Sequence, residues 1–202
     1  SILDPEVTYS LPKRQLINGV IDAYVHVIEQ YLTYPVNSPV QDRFAEGILL
    51  TLIEEGRKAM QNEEPDYENR ANIMWAATMA LNGLIQKGVP TDWSIHAIGH
   101  ELTALYNIDH ARTLAIITKS LYTYNIDSKK EKLAQLAERV WNVKHGTIDE
   151  KARVGIDKIE DFFHSIGIDT KLSEYTQDYQ GTAETIAERF TARGLNGIGE
   201  HK

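Results

Sequence analysis

The stretch PKRQLINGVIDAYVHVIEQYL, residues 12–32, carries apolar side chains at helical spacing along its length. They are Leu16, Ile17, Val20, Ile21, Tyr24, Val25, Ile28 and Leu32. Pro12 suits the start of a helix and Pro35 marks its end, because proline lacks the amide hydrogen that a helix interior needs. The stretch therefore predicts a long helix that holds Asp22 and His26 among apolar neighbours.

Proline, glycine and capping residues divide the rest of the chain into further helices. We predict helices at about 39–60, from Asp66 towards Gly88, and at 93–106, 110–124, 133–141, 152–166 and 182–193. Ser128 and Thr147 each begin a capping box, and Gly194 suits a left-handed C-cap. No stretch alternates apolar and polar residues long enough to predict a strand. The sequence predicts one all-α domain.

Composition excludes several classes of protein. Of the 202 residues 42% are hydrophobic, which excludes disorder, and the net charge of −8 is unsuited to nucleic acid or an anionic membrane. No apolar run is long enough to span a membrane, and the N-terminus lacks the basic region of a signal peptide. Without cysteine there can be no disulfide or thiolate metal site, and we expect a cytoplasmic location. Because the chain opens without Met on an Asp-Pro segment, we expect a fragment of a longer protein.

Asp22 and His26 are the first residues with candidate chemistry. Residues four apart share one face of a helix, so a carboxylate and an imidazole at this spacing can bind one ion. A buried carboxylate without a partner is costly, and a cation offsets that cost. Spacing alone also fits a plain hydrogen bond between Asp22 and His26, which is the commoner arrangement.

A second histidine cluster follows in the predicted helices at 93–106 and 110–124. His96 and His100 repeat the four-residue spacing, and His110 begins the next helix, whose return could bring it beside His96. Three imidazoles and one carboxylate are a suitable ligand set for a divalent metal. On spacing alone His96 and His100 form a ligand pair. The sequence therefore predicts a metal centre, although it leaves the ligand set open.

Other polar groups are expected to be solvated or structural. We predict that His145, His164 and His201 lie on the surface, as do the pairs Glu54-Glu55 and Glu63-Glu64. The glycines between Gly194 and Gly199 neither follow a strand nor open a helix, so we predict a helix stop and a frayed tail, with no phosphate loop.

Two motifs resemble the C-terminal helical domain of iron-containing (group III) alcohol dehydrogenases. The first comprises Leu3-Asp-Pro-Glu, Thr8-x-x-Leu11-Pro12 and Asp22-Ala-x-x-His26-x-x-Glu29-x-Tyr31. The second is Trp93-x-x-His96-x-x-x-His100-Glu-Leu-Thr, with His110 fourteen residues after His96. Asp92-Trp93 and Glu101-Leu102-Thr103 are most similar to the butanol-dehydrogenase-like, aldehyde-reducing branch. Ala111 departs from the glycine of many relatives, which that branch tolerates.

The resemblance implies a dehydroquinate-synthase-like fold for this domain, without the family's N-terminal nucleotide-binding domain. Residues 1–11 would be an extended connector from that missing domain, and 12–202 the helical metal-binding catalytic domain. The implied metal ligands are Asp22, His26, His96 and His110, for Fe²⁺ or Zn²⁺. His100 would instead lie beside the nicotinamide and substrate, as a catalytic and cofactor-binding residue.

The implied activity is that of an oxidoreductase, an alcohol dehydrogenase or aldehyde reductase of class EC 1.1.1.-. NAD(P)H would be bound mainly by the missing domain, so we expect the isolated chain to be inactive. Small alcohols or aldehydes are the expected partners, and the complete enzyme could form a homodimer. Two alternatives are a non-catalytic metal-binding helical fragment and a helical metal phosphohydrolase. The phosphohydrolase is disfavoured because Asp109-His110 reverses the order of its His-Asp dyad.

Overall fold

A computed structural model describes residues 2–195 and 197–200 of the chain. This part contains helices and no strand, so the all-α prediction is confirmed. The α-helices are α1 (Lys13–Tyr31), α2 (Pro39–Gln61), α3 (Tyr67–Leu81), α4 (Ser94–Tyr106), α5 (His110–Tyr124), α6 (Ile126–Arg139), α7 (Ile148–Ser165) and α8 (Thr182–Ala192). Two short 3₁₀ helices span Pro5–Thr8 and Leu172–Glu174. None of the helices in the described ranges is long and apolar enough to cross a membrane.

Helix α1 lies at the centre of the fold. It packs against α2, α3 and α5, and touches α4. Val20, Ile21, Tyr24 and Val25 are fully buried, as expected of a helix that is apolar on most of its faces. Polar groups on α1 therefore face other helices, which is why Asp22 and His26 can meet residues from distant parts of the chain.

The segment before α1 differs from the prediction. We expected residues 1–11 to be extended, but Pro5–Thr8 forms a 3₁₀ helix. The Asp4 side chain accepts a hydrogen bond from the amide of Glu6, and Pro5 stands in the first turn, where its missing amide hydrogen costs nothing. These two residues supply the local reason for the turn.

Helices α4 and α5 form a tightly packed corner. Gly99 permits the close approach, since a Cβ atom there would lie 2.8 Å from Leu114 Cδ2 and 3.2 Å from Thr113 Oγ1. Asn107, at φ 53°, ends α4, and α5 begins at His110. The corner brings the first turn of α5 back beside the first turn of α4, as the sequence predicted.

Helices α6 and α7 form an antiparallel pair that covers α5 and the far end of the core. The capping box at Thr147 and Glu150 is confirmed, with both reciprocal hydrogen bonds present. The box predicted at Ser128 is wrong. Helix α6 already begins at Ile126, and the Ser128 hydroxyl donates to the Asn125 carbonyl inside the first turn.

The C-terminal segment is packed against the domain, so the predicted frayed tail is also wrong. Helix α8 ends before Gly194 as expected, but Gly199 is buried against Asp92 and Ser94. Its φ of +88° and the 2.5 Å that would separate a Cβ from Ser94 Oγ make glycine necessary there. Glu200 then reaches the buried ammonium of Lys129.

The structure also tests the predicted surface positions of two histidines and of Glu55. His145 and His164 are exposed as predicted, while His201 lies outside the described residues. The prediction that Glu55 is solvated is wrong, since its side chain is buried. Its carboxylate accepts hydrogen bonds from Asn69 and Lys58 in place of water.

Candidate metal centre

The site begins with two residues on one face of α1. The His26 ring approaches Asp22 twice, with Nδ1 2.7 Å from the Asp22 carbonyl oxygen and 3.6 Å from its Oδ1. Because a carbonyl oxygen only accepts, Nδ1 carries the hydrogen and Nε2 of the neutral ring keeps its lone pair. The hydrogen bond between this pair therefore goes to the backbone of Asp22, and its carboxylate is left for other partners.

The corner between α4 and α5 brings two more imidazoles to Asp22. Its Oδ1 lies 3.8 Å from His96 Nε2 and 3.7 Å from His110 Nε2. One donor atom from each of Asp22, His96 and His110 lies within 4.8 Å of the others, a spacing that suits a shared ion. His26 is not one of these three, but its ring centroid is 4.3 Å from that of His96.

His100 lies at the rim of this group. Its side chain is exposed, and its ring stacks on His110 with centroids 4.5 Å apart and planes 5° from parallel. The three-donor group contains His110 and does not contain His100. Spacing along α4 thus places His96 and His100 on one face of the helix without making them the pair that meets Asp22.

Several buried polar atoms of the group have no hydrogen-bond partner in the described part of the chain. They are Asp22 Oδ1 and His96 Nε2, which face each other, and Nδ1 of His110, whose other ring nitrogen faces Asp22. Leaving such atoms unpaired costs free energy, about 1–3 kcal/mol for each group. An oxygen and a nitrogen acceptor that share a buried point without a donor between them are the arrangement that a cation satisfies.

The electrostatics of the group are coupled through the Asp22 carboxylate. Burial acts to lower the pKa of His96, but Asp22 and Glu29 outweigh it and raise the pKa to about 9. Burial acts to raise the pKa of Asp22, and the nearby imidazoles, His96 first among them, hold it below its usual value. Burial lowers the pKa of His110, against the attraction of Asp22. The Asp22 carboxylate therefore favours positive charge at the point where an ion would bind.

Sequence reasoning named Glu29 in the first motif but gave it no role in the site. Its carboxylate is completely buried, and its Oε2 accepts a short hydrogen bond from Nδ1 of His96. A signal was present, since Glu29 is a single acidic residue among the buried Val27, Ile28 and Leu32, one turn after His26. A glutamate at that place in an apolar helix needs a buried partner.

An open pocket borders the group on the side of Asp22 and His110. It has a volume of about 340 Å³ and is also lined by Gln15, Asn18 and Gly19. This volume falls in the range of small-molecule sites. A small molecule can therefore reach the side of the group that faces away from Glu29.

Comparison with known proteins assigns the family. A sequence profile of the Fe-containing alcohol dehydrogenase family, C-terminal, matches residues 16–196. The chain belongs to the Fe-containing alcohol dehydrogenase family. This assignment confirms the resemblance drawn from the two motifs and replaces the phosphohydrolase alternative. Asp109, which that alternative needed beside His110, instead accepts hydrogen bonds from Arg14 and Asn18.

Relatives in the family include enzymes named for each nicotinamide cofactor. NADPH-dependent aldehyde reductase YqhD from Escherichia coli K12 is 50% identical over 201 residues, covering 100% of this chain and 51% of its own. NADH-dependent butanol dehydrogenase A from Clostridium acetobutylicum is 40% identical over 176 residues, covering 86% of this chain and 45% of its own. The structure of the substrate- and cofactor-free aldehyde reductase YqhD matches with a TM-score of 0.93 over 98% of this chain and 52% of that one, at 50% identity.

These matches define how much of an Fe-containing alcohol dehydrogenase is present. The chain spans about half the length of the curated relatives it matches. It corresponds to their C-terminal domain, which is the helical one. The histidine cluster described above lies within the residues that match this family's C-terminal domain.

Proposed function

We propose that this chain is the metal-binding half of an NAD(P)-dependent alcohol dehydrogenase or aldehyde reductase. Asp22, His26, His96 and His110 would hold one divalent ion. The observation that carries the proposal is the convergence of ligand atoms from α1, α4 and α5, of which the facing atoms Asp22 Oδ1 and His96 Nε2 are buried without a hydrogen-bond partner in the described residues. Helix packing alone gives no reason to bring them there, because burying a polar atom without a hydrogen-bond partner costs free energy.

The donor set fits such an ion. One carboxylate and three neutral imidazoles suit Fe²⁺ and Zn²⁺ alike, and nothing in the set selects between them. His26 and His96 each donate Nδ1–H to an acceptor, the Asp22 carbonyl and the Glu29 carboxylate. Both rings therefore have Nε2 free, as metal-binding imidazoles require.

When bound, the ion would act as a Lewis acid that polarises the oxygen of an alcohol or aldehyde. The pocket beside Asp22 and His110 gives such a molecule access to the ligands. Helix α1 fixes the position of Asp22, since the residues around it are fully buried. NAD(P)H would be held mainly by the nucleotide-binding half of the complete enzyme, whose cleft this face of the domain would close.

His100 is the proposed catalytic and cofactor-contacting residue. Its ring is exposed at the rim, beside the ligand His110 and not in the three-donor group. An imidazole in that place can donate a hydrogen bond to the cofactor or move the proton that accompanies hydride transfer. Because residues 1–202 span about half the length of these relatives, we propose that this stretch alone folds and binds the ion without turnover.

The test is the metal content and zinc affinity of the 202-residue chain and its histidine variants. We expect one ion per chain after loading, and a loss of at least tenfold in affinity for His26→Ala and His110→Ala. His145→Ala removes an exposed imidazole elsewhere and serves as the control, and His100→Ala is expected to retain the ion. Unchanged affinity in both ligand variants would refute the metal site. Joined to its nucleotide-binding half, the loaded chain should oxidise NADPH with an aldehyde, and failure there would refute the activity.

A further inference from the structure

Glu29 is a fully buried carboxylate with an unusual set of partners. It lies on α1, one turn after His26, and its side chain is 0% exposed. Oε1 accepts a hydrogen bond from the amide of Ile95 at 2.6 Å, and Oε2 accepts from the amide of His96 at 3.3 Å. Oε2 also accepts from Nδ1 of the His96 ring. All the partners thus belong to the first turn of α4.

The backbone before α4 is shaped to make these contacts. Trp93 adopts φ 66° and ψ 15°, a left-handed conformation that is costly for a bulky residue. This turn directs the amides of Ile95 and His96 at Glu29, while the amide of Asp92 donates to the Glu29 carbonyl at 2.9 Å. The Trp93 ring packs edge-on against His26 and His96, with centroids 5.8 and 5.5 Å away.

A carboxylate at this position determines which nitrogen of His96 carries the hydrogen. Ionised carboxylate oxygens only accept, so Nδ1 of His96 must donate and Nε2 of the neutral ring must hold the lone pair. Nε2 is the atom that lies 3.8 Å from Asp22 Oδ1 without a hydrogen-bond partner in the described residues. Glu29 therefore sets both the direction of the ring and the tautomer that a metal ion needs.

We propose that Glu29 is a positioning residue that holds His96 in its metal-binding orientation and tautomer. The inference rests on the proposed metal site. Glu29 itself does not line the pocket and has both oxygens engaged, so it acts through His96 and does not touch substrate.

Glu29→Gln keeps the shape of the side chain but replaces one carboxylate oxygen, which accepts hydrogen bonds, with an NH₂ group, which donates them. If the amide oxygen faces the Ile95 amide, the NH₂ group faces Nδ1 of His96 and moves the ring hydrogen to Nε2, where it blocks the ion. If the amide is turned round, its NH₂ group meets the amide hydrogen of Ile95, and the first turn of α4 loses that bond. Either orientation should weaken metal binding.

The experiment compares zinc dissociation constants, measured by chelator competition, for the unchanged chain, Glu29→Gln and Glu55→Gln. Glu55 is a matched control, because its buried carboxylate accepts from Asn69 and Lys58 and has no contact with the site. We expect zinc affinity to fall by 10–100-fold in Glu29→Gln and by less than about twofold in Glu55→Gln. Equal losses in the two variants, or no loss in Glu29→Gln, would overturn the assignment.

A second measurement does not depend on a variant that folds. Nitrogen-15 spectra of the zinc-loaded unchanged chain should show the His96 hydrogen on Nδ1, and a hydrogen on Nε2 would overturn the inference. An unchanged chain that binds no zinc would refute the metal site and the inference with it. Normal binding together with a normal Glu29→Gln would refute only the role of Glu29.

Discussion

Asp92 and His96 lie four residues apart around the turn at Trp93 and are both buried, yet they belong to two clusters of opposite character. In the first cluster the Lys129 ammonium donates to the Leu32 carbonyl, Asp92 and Glu200 at 2.7–2.8 Å. The second oxygen of each carboxylate accepts a backbone amide, from Ser94 for Asp92 and from Tyr34 for Glu200. Each oxygen of Asp92 and Glu200 in this ionic cluster thus accepts a hydrogen bond from within the protein, and the Lys129 ammonium has three acceptors.

The proposed metal cluster of Asp22, His96 and His110 is arranged in the opposite way. Its outer atoms are held, as by Glu29 on His96, but its central atoms have no hydrogen-bond partner among the described residues. Both clusters combine acids with bases, so charge alone does not distinguish them, but the side chains of Asp22 and His110 are 38% and 32% exposed, whereas those of the ionic cluster are 2–5% exposed. The two clusters differ in their hydrogen bonding. The polar atoms of the ionic cluster have hydrogen-bond partners within the protein, which makes that cluster complete, whereas the central atoms of the other cluster lack them and can bind a ligand.

The largest expected effect comes from breaking the complete cluster. Lys129 is 1% exposed, and Lys129→Met would leave Asp92 and Glu200 buried without their cation. We expect the free energy of unfolding to fall by about 3–5 kcal/mol, measured by urea denaturation.

The neighbouring lysine provides the control. The Lys130 side chain is 39% exposed and pairs with Asp149 at 3.4 Å, so Lys130→Met should cost less than about 1 kcal/mol. Similar losses for the two variants would show that the complete cluster is no more stabilising than a surface ion pair.

The next largest expected effect is a loss of unfolding free energy of the metal-free chain as the pH rises. The pKa of His96 rises from 6.5 to about 9 on folding, so the protonated ring stabilises the fold fully below pH 6.5 and loses that effect as the pH rises through about 9. The difference corresponds to roughly 3 kcal/mol. The groups that face the ring are Asp22, Glu29, His26, His100 and His110.

Urea denaturation in a chelator at pH 6, 7.5 and 9 measures this loss. Bound zinc should remove this loss of stability. Zinc binds the neutral His96 imidazole, so zinc affinity rises as the ring loses its proton. His96→Asn should flatten the profile of the metal-free chain. A metal-free profile with the same slope in the variant would show that another group is responsible.

The smallest effect tests whether the two clusters are independent. Glu200→Gln keeps one acceptor for Lys129 but removes the charge and places an NH₂ group among donors. We expect a loss of about 1–2 kcal/mol in unfolding free energy with zinc affinity unchanged within twofold. A parallel loss of zinc affinity would show that the ionic cluster also positions the metal cluster.

Helix existence and type were predictable from local sequence because they follow from periodicity and capping. The bounds of α5, the start of α2 at Pro39 and the capping box at Thr147 all have causes within a few residues. The errors have causes of two kinds: Asp4 and Pro5 form a local turn, whereas the C-terminal contact depends on a distant residue. The start of α6 precedes its apparent capping serine, and the tail is ordered by Lys129, which lies 71 residues before Glu200.

The same division holds for the site. Helical spacing placed Asp22 and His26 on one face and predicted the return of His110, but it could not choose between His100 and His110. That choice depends on the corner at which Gly99 lets α5 approach α4. The role of Glu29 was missed because its partners are 66 and 67 residues further along the chain.

The ionic contact of Glu200 also has a consequence for the order in which this domain is made. The ribosome completes Asp92 and Lys129 long before Glu200, the third member of their cluster, which follows Lys129 by 71 residues. Until that carboxylate emerges, Lys129 has two of its three acceptors, the Asp92 carboxylate and the Leu32 carbonyl. The contact between Glu200 and the Tyr34 amide spans 166 residues, so the cluster is completed only after residue 200 has been synthesised.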